Sequence, residues 1–315
     1  MIDTGMCPYQ VVLFRPYYFS HLAAIQLLGL KPVVVDSDES GMPDVRALHA
    51  ALERPKSNVR VVTLVTPSNP SGAVCDTRRS RELLQLCHER KVWLVADEAY
   101  EHFVHEGEPH CSPSSARLHP ELAHGVVSLY TFSKSFGLAG WRVGYLSYPA
   151  HLHQSFLKVQ DTFPTHATVL SQEIAERCVK VLGSSWVQNN VSSLKPARDK
   201  MWKAISAAAH SSSSIPADLA KATRMQQAIQ PRGAFYYLVP LPGHLTEEEA
   251  IAILAKRHGL LLLPGMAFGM PGMLRLSYGC LGDADAVYAA ACQLEHGLCD
   301  LWSCAQSSSS GHTRQ

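Results

Sequence analysis

A lysine between hydroxyl residues, followed by a glycine-rich turn, is the feature of this sequence that could do the most chemistry. Lys134 lies between Ser133 and Ser135, and Arg142 follows the lysine by eight residues. Small hydroxyls, the N–H groups of a turn and an arginine bind phosphate well. A lysine amine beside them could form a Schiff base with a phosphorylated aldehyde. The alternative is an ordinary exposed turn with a surface lysine, and this segment alone leaves both open.

A carboxylate at the end of an apolar run is the second candidate. Asp97 follows the run at residues 92–96, and Tyr100 comes three residues later. A carboxylate at the end of a buried strand is unfavourable unless it is paired. A protonated pyridine nitrogen would be such a partner, and Tyr100 could bond to a hydroxyl of the same ring. A helix cap by Asp97 is the alternative.

Two further polar residues lie in segments that would fix their orientation. Asn69 belongs to a turn at residues 67–72 that contains two prolines and a glycine, and such a turn is rigid. Arg275 lies between two leucines in an expected strand. An arginine is rarely buried without a partner, and a substrate carboxylate can be that partner. A plain surface turn and a structural salt bridge are the respective alternatives.

The first half of the chain predicts a mostly parallel sheet with helices on its faces. A helix is expected at residues 78–90, with Asp76 or Thr77 as its cap. Apolar and β-branched runs predict strands at residues 32–35, 59–65, 92–96, 126–130 and 143–146. Asn69, Asp97 and Lys134 then follow the C-terminal ends of strands. That edge is where ligands bind in open parallel sheets.

The second half predicts a smaller α+β domain. Expected elements are a long helix at 184–209, strands at 235–239, 260–263 and 273–277, and helices at 246–256 and 283–298. Thr246 would cap the helix at 246–256. We therefore expect a large domain at 1–183, a small domain with its linking helix at 184–305, and a disordered Ser-rich tail at 306–315.

Composition argues against several classes of protein. The formal net charge of +1 gives no electrostatic basis for binding nucleic acid or an anionic membrane. No apolar run reaches the roughly 18–20 residues of a membrane helix. The nine cysteines include no Cys-x-x-Cys pair, which favours free thiols in a reducing compartment. We expect a soluble intracellular protein, in the cytoplasm or an organelle.

A histidine-rich segment is a possible metal site. It contains His102, His105, His110 and Cys111. Their spacing fits no standard zinc pattern, so we expect loop residues and no metal.

Four motifs, in this order along the chain, resemble those of the class I and II aminotransferases, which are fold-type I pyridoxal-phosphate enzymes. The turn at 68–72 resembles the Asn-Pro-Thr-Gly turn of the family, and 97–100 is similar to its Asp-Glu-x-Tyr motif. Ser133-Lys134 with the Gly-Trp-Arg-Val-Gly run at 140–144 resembles its cofactor-lysine signature. Residues 274–277 resemble its carboxylate-binding strand. The resemblance runs from about Val11 to Leu298. It implies an α/β fold with a mostly parallel, seven-stranded-type large domain and a small C-terminal α+β domain.

The resemblance implies a role for each residue around the ring of pyridoxal 5'-phosphate. Lys134 would carry the cofactor as a Schiff base and later move the substrate proton. Asp97 would pair with the ring nitrogen, while Tyr100 and Asn69 would bond to the ring hydroxyl oxygen. Tyr18 would stack on the ring, although a core aromatic is the alternative for this residue.

The resemblance also implies residues for the phosphate and the substrate. Thr131, Ser133 and Arg142 would hold the phosphate. Arg275, helped by Asn69, would bind the α-carboxylate of the substrate. His21 would support the ring-binding aspartate from behind.

The activity implied is a transaminase that moves an amino group between an L-amino acid and a 2-oxo acid, with 2-oxoglutarate as acceptor, in a homodimer. A β-lyase with the same residues and a non-catalytic or regulatory aminotransferase-like domain are the alternatives. The segment at 15–21 resembles one that lies well inside the chains of the family. We therefore expect this chain to lack an N-terminal part of its large domain.

Overall fold

The computed structural model describes residues 8–105, 107, 110–115, 121–211, 231–243, 245–279 and 282–309. The chain divides into two compact units. The large unit is built from Met1–Asn69, Ala73–Val191 and Arg232–Ala234, and the small unit from Pro70–Gly72, Ser192–Pro231 and Phe235–Gln315. The domain limits expected from the sequence stay a prediction. None of the helices in the described ranges is both long and apolar enough to cross a membrane.

The described part of the large unit contains a six-stranded sheet with the order β2-β1-β3-β4-β5-β6. Its strands are β1 (Gln10–Arg15), β2 (Lys31–Asp36), β3 (Val59–Val65), β4 (Trp93–Asp97), β5 (Val126–Thr131) and β6 (Gly144–Ser147). The first five are parallel, and β6 runs antiparallel to β5. The mostly parallel α/β sheet predicted from the sequence is confirmed. Strand β1 is an addition to the expected strands.

The helices that accompany this sheet are α1 (Phe19–Leu27), α2 (Val45–Leu52), α3 (Thr77–Glu89), α4 (Phe132–Ser135), α5 (His153–Thr162), α6 (Val169–Arg177) and α7 (Gly183–Ser193). Helix α1 lies on one face of the sheet, and α2 and α3 lie on the other. Successive residues of a strand point to opposite faces. Accordingly, Val12 packs in the cluster that contains residues of α2 and α3, whereas Leu13 packs with Ile25 of α1. Asp76 caps α3 by accepting a bond of 2.7 Å from the Arg79 N–H, which is one of the two caps expected.

The small unit has its own antiparallel sheet and its own core. Its strands are β7 (Tyr236–Pro240), β8 (Leu263–Pro264) and β9 (Met273–Ser277), in the order β7-β9-β8. Its helices are α8 (Lys195–Ser211), α9 (Glu247–His258) and α10 (Ala284–Ser309). The core joins the three helices to the sheet through buried side chains, among them Met201, Ile205, Val239, Leu254, Leu274 and Leu298.

Three expected elements differ from the structure. The single helix expected at 184–209 is two helices, because α7 ends at Ser193 and α8 begins at Lys195. Pro196 stands in the first turn of α8, where its missing N–H is tolerated. The expected strand at 260–263 is reduced to the two residues of β8. Helix α10 continues to Ser309, so residues 306–309 are helical rather than the start of a disordered tail. Residues 310–315 of that tail lie outside the described residues.

Candidate active site

The ends of three neighbouring strands in the large unit meet at one edge of the sheet. Thr66, just after β3, donates its N–H to the Asp97 carbonyl at the end of β4, over 3.0 Å. The Glu98 N–H donates to the Leu129 carbonyl of β5, over 2.9 Å. These two bonds align the three chain segments, so that β3, β4 and β5 end at the same edge of the sheet. The polar residues that follow β3, β4 and β5 therefore begin at the same edge, as the sequence pattern indicates.

Asp97 is held by a histidine from α1. His21 Nε2 donates to Asp97 Oδ2 over 2.8 Å, and the Ala99 N–H donates to Asp97 Oδ1 over 3.1 Å. The Asp97 side chain is 15% exposed. Each carboxylate oxygen has two lone pairs, so this geometry orients the group and leaves it the capacity to accept a further donor. His21 lies against Asp97, as the resemblance implies.

Two tyrosines stand near these groups. The Tyr18 ring meets the His21 ring edge to face, with 5.7 Å between centroids. Tyr100 is buried, and Lys134 Nζ lies 5.8 Å from the centroid of its ring. That distance is within the range of a cation–π contact. The structure thus brings the amine of Lys134 and the ring of Tyr100 together.

The expected phosphate-binding hydroxyls meet at the start of α4. Thr131 caps this helix, since its Oγ1 accepts a bond of 3.1 Å from the Ser133 N–H. The Thr131 hydroxyl also lies 2.9 Å from the Ser133 hydroxyl. Arg142 is exposed and donates from Nη1 to the carbonyl of Ala139 in its own turn, over 2.9 Å. The structure joins Thr131 to Ser133, while the described contact of Arg142 is local.

A glycine explains why this motif lies so close to β5. Gly144 opposes Thr131 in the β5–β6 pair, and a Cβ at Gly144 would stand 2.5 Å from the carbonyl oxygen of Tyr130. Any larger residue would push β6 away from the strand that leads to Lys134. The last glycine of Gly-Trp-Arg-Val-Gly is therefore required by close packing.

Asn69 sits in a buried, internally bonded turn. Only 5% of the residue is exposed. The Ser68 N–H donates to the Ala73 carbonyl over 2.8 Å, which closes the turn, and Gly72 takes a φ of 68°. That backbone conformation suits glycine. The main chain around Asn69 is thus held by the turn, and its role toward a ligand stays a prediction.

Arg275 belongs to the small unit, on β9. Its guanidinium carbon lies 4.5 Å from the centroid of the Tyr236 ring and 4.9 Å from that of Phe268. Both distances are within the range of cation–π stacking. Contact with two rings restrains the plane of the guanidinium group and directs its N–H donors along that plane.

A buried network around Glu98 was missed by the sequence analysis. The carboxylate accepts bonds from His110 Nε2 at 2.8 Å, Ser112 Oγ at 2.7 Å and Tyr130 Oη at 3.1 Å. Glu98 is 1% exposed, so these donors compensate for burying its charge. In the sequence, this network is indicated by a second acidic residue, Glu98, directly after Asp97.

Two histidines of the histidine-rich segment are bonded to protein groups. His105 Nε2 donates to the Ala234 carbonyl over 2.6 Å, and His110 is bonded to Glu98. Among the residues that the structure describes, no group of three or more His, Cys, Asp or Glu residues could hold a metal ion.

Two titratable side chains beside this network, Glu101 and His102, have shifted pKa values. Burial and, to a smaller extent, the nearby Glu98 carboxylate together raise the pKa of Glu101 to about 7, while His110 acts in the opposite direction. Burial also lowers the pKa of the neighbouring His102.

The residues of the large unit fit a pyridoxal phosphate. Asp97 is a carboxylate held in place by His21, which suits a cationic ring nitrogen. Lys134 supplies an amine, and Thr131 and Ser133 supply hydroxyls that are already adjacent. A cationic ring nitrogen, an aldehyde and a phosphate require these three kinds of group.

Comparison with known proteins identifies the family of this chain. Residues 4–292 match the family model for aminotransferase class I and II. The chain is 33% identical over 297 residues to the aromatic aminotransferase ISS1 of Arabidopsis thaliana, covering 92% of this chain and 69% of the relative. It is 27% identical over 277 residues to a probable aspartate/prephenate aminotransferase of Aquifex aeolicus, covering 85% of this chain and 65% of the relative.

A solved structure shows the same fold. An aromatic aminotransferase from Pyrococcus horikoshii OT3 superposes with a TM-score of 0.79 at 23% identity, covering 94% of this chain and 74% of that one. Together with the two relatives, this comparison shows that the chain spans roughly two thirds to three quarters of the length of the proteins it matches. The chain belongs to the class I and II aminotransferase family, whose members are pyridoxal-phosphate-dependent enzymes.

Proposed function

We propose that this chain carries out transamination between an L-amino acid and a 2-oxo acid, with 2-oxoglutarate as the acceptor. The observation that supports it most is the position of Asp97. Its carboxylate is oriented by His21 at the strand edge, and the Lys134 and Tyr100 segments follow the same strand ends. We also propose that the active form is a homodimer.

When bound, pyridoxal 5'-phosphate supplies an electron-withdrawing ring that stabilises negative charge at the substrate α-carbon. Asp97 would keep the ring nitrogen protonated by accepting its N–H, and His21 would hold the carboxylate in position for this role. Tyr100 and Asn69 would donate to the ring hydroxyl oxygen, and Tyr18 would pack against the ring. Each of these groups would hold or orient the ring.

Lys134 has two roles in this proposal. Its Nζ would hold the cofactor through the aldehyde group, which would keep the cofactor in the site between turnovers. The same amine, when free, would serve as the base that takes the proton from the substrate α-carbon. Because Lys134 lies on α4, directly after β5, its main chain is fixed while its side chain reaches the reacting atoms.

The phosphate and the substrate carboxylate are bound by different groups. Thr131 and Ser133 would donate their hydroxyls to the phosphate. Arg142 has five N–H donors, so its bond to the Ala139 carbonyl leaves others for the phosphate. Arg275 would bind the α-carboxylate of the substrate.

Aromatic L-amino acids are the donors we propose first. The relative with 33% identity is named as an aromatic aminotransferase. A second relative is named for aspartate and prephenate, and its identity is 27%. A panel of donors that includes phenylalanine, tyrosine, tryptophan and aspartate tests this order of preference.

Replacing Lys134 by alanine tests the function. We expect Lys134→Ala to lower amino transfer to 2-oxoglutarate by at least about 10²–10⁴-fold, the contribution of a positioned proton-transfer group. In the unaltered chain, borohydride reduction should attach the cofactor permanently to the peptide that contains Lys134, which adds to the mass of that peptide. In Lys134→Ala, this added mass should be absent. Lys158→Ala is the control, because Lys158 is an exposed lysine of α5. Undiminished transfer in Lys134→Ala contradicts the proposal.

Formation of ammonia instead of glutamate by the unaltered chain favours a β-lyase.

A further inference from the structure

A buried carboxylate at the start of α9 is bonded to a distant loop. Glu247 is 8% exposed. Its Oε2 accepts the Met266 N–H over 3.0 Å, and its Oε1 accepts the Gly272 N–H over 2.8 Å. Hydrogen bonds to an ionised carboxylate are stronger than those between neutral groups. The two oxygens thus hold both ends of the loop at residues 265–272.

This loop is built for one conformation. A Cβ at Gly265 would stand 2.3 Å from the carbonyl oxygen of Met270 and 2.6 Å from that of Met273. Gly269 and Gly272 take φ values of 75° and 81°, which other residues rarely adopt. The Met270 N–H closes the loop onto the Gly265 carbonyl over 2.9 Å. The loop backbone is therefore constrained, and Glu247 joins it to helix α9.

The same loop carries one of the two rings that contact Arg275. Phe268 is fully buried, and its ring centroid lies 4.9 Å from the guanidinium carbon of Arg275. Strand β9 fixes the main chain of Arg275, but the plane of its guanidinium depends on its contacts with Phe268 and Tyr236. A planar guanidinium binds a carboxylate through two parallel N–H donors only when its plane is correct.

We propose that Glu247 is a positioning residue for Arg275. Its carboxylate holds the loop, the loop holds Phe268, and Phe268 keeps the guanidinium plane in the orientation that binds a substrate carboxylate. The inference rests on the role proposed above for Arg275. If Glu247 is removed, the loop loosens and carboxylate binding weakens, while proton transfer by Lys134 continues at its normal rate once the substrate is bound.

Steady-state kinetics of Glu247→Ala and Glu247→Gln test the proposal. We expect Glu247→Ala to raise the KM for both the amino acid and the 2-oxo acid about tenfold, with kcat within about twofold, the pattern of lost uniform binding. Glu247→Gln should give an intermediate KM, because a glutamine offers one acceptor oxygen to two N–H donors. The glutamine variant has the same shape, so it reports the effect even where alanine reduces folding.

Thr246→Ala is the matched control on the same helix. Thr246 caps α9 by accepting the Glu249 N–H over 3.2 Å and makes neither of the bonds to the loop. This variant should lower the melting temperature and leave both KM values unchanged. If KM responded only to a loss of stability, Thr246→Ala and Glu247→Ala would change KM in the same way. Equal KM values in these two variants overturn the proposal.

Two further variants separate this inference from the proposed function. The double variant Phe268→Leu with Glu247→Ala should have a KM only slightly above that of Phe268→Leu alone, because both changes act through the same contact. If the effects of the two changes on KM are fully additive, the proposal is overturned. Arg275→Ala should raise KM more than Glu247→Ala does. If Arg275→Ala raises KM and Glu247→Ala does not, only the inference about Glu247 fails. If Arg275→Ala leaves KM unchanged while Lys134→Ala abolishes transfer, the carboxylate role of Arg275 fails together with this inference, and transamination stands.

Discussion

Asp97 and Glu98 are neighbours in the sequence but lie in different environments. Asp97 is oriented by His21 and retains some exposure, at 15% of its side chain. The Glu98 side chain is fully buried and is bonded to His110, among other donors. Glu98 accepts from three side-chain donors, whereas Asp97 accepts from one side chain and one backbone N–H and keeps the capacity for a further donor. This difference supports Asp97 as the cofactor partner.

Removing His21 should weaken cofactor binding. Hydrogen bonds to charged groups contribute about 1.5–3 kcal/mol, so we expect His21→Ala to lower the affinity for pyridoxal phosphate about tenfold to a hundredfold. A fluorescence titration measures this affinity. His124→Ala is the control, because His124 is an exposed histidine of the same unit. If both variants bind the cofactor as tightly as the unaltered chain, the support of Asp97 by His21 is refuted.

Glu101 should make stability depend on pH. The pKa of Glu101 is about 7 in the folded chain, against an ordinary value of 4.5. Between pH 4.5 and about pH 7, the Glu101 carboxyl tends to be protonated in the folded chain and ionised in the unfolded chain. The contribution of Glu101 therefore lowers the free energy of unfolding as the pH rises through this window. Glu101→Gln removes the ionisation. After allowance for partial exposure, we expect it to raise stability by about 1 kcal/mol at about pH 8.

Urea unfolding at about pH 5 and about pH 8 measures this effect. The advantage of Glu101→Gln should be present at the higher pH and largely absent at the lower one. An equal advantage at both values would mean that it does not arise from ionisation of Glu101.

At the scale of elements, strand β6 carries a strict packing requirement. Gly144→Ala would place a Cβ 2.5 Å from the Tyr130 carbonyl oxygen, whereas a Cβ at Gly140 meets nothing within 4 Å. We expect Gly144→Ala to destabilise the chain by about 1–3 kcal/mol, the usual range for overpacking, and to weaken cofactor binding. Gly140→Ala, in the same motif, is the control.

Melting temperature and cofactor affinity distinguish these two alanine variants. If Gly144→Ala behaves like Gly140→Ala in both measurements, then β6 moves away from β5 without consequence, and the position of Lys134 does not depend on the β5–β6 pair.

The helices and strands differ in how well the sequence predicts them. Helix α3 was predicted with either Asp76 or Thr77 as its cap, because the apolar period and the candidate caps are local, and the structure selects Asp76. The break between α7 and α8 was missed, since both segments continue the same apolar pattern and only Pro196 marks a possible start. Strand β8 is shorter than its apolar run, because the strand exists only where β9 lies beside it.

At the scale of the whole molecule, bound cofactor should stabilise the chain. A ligand that binds only the folded state adds about 2.7 kcal/mol when it is present at 100 times its dissociation constant. We expect pyridoxal phosphate at saturation to raise the melting temperature of the unaltered chain by several degrees. Lys134→Ala should show a smaller rise, because it lacks the covalent attachment. Thermal unfolding followed by fluorescence measures both shifts, and equal shifts contradict a covalent role for Lys134.

Some properties of this protein were determined by the sequence alone. The turn around Asn69, the carboxylate directly after β4 and the hydroxyls beside Lys134 each depend on neighbouring residues. Their order along the chain was enough to indicate the family, because a local motif carries its own turn, cap or strand end.

Other features were decided only by the tertiary structure. Glu98 finds His110 and Ser112 across a loop, and Glu247 bonds to Gly272, which lies 25 residues further on. These partners meet because strands and helices pack, and no local pattern marks which buried carboxylate will face which N–H. The chemistry of the site is therefore predictable from sequence motifs, whereas the contacts that hold its residues in place depend on the folded core.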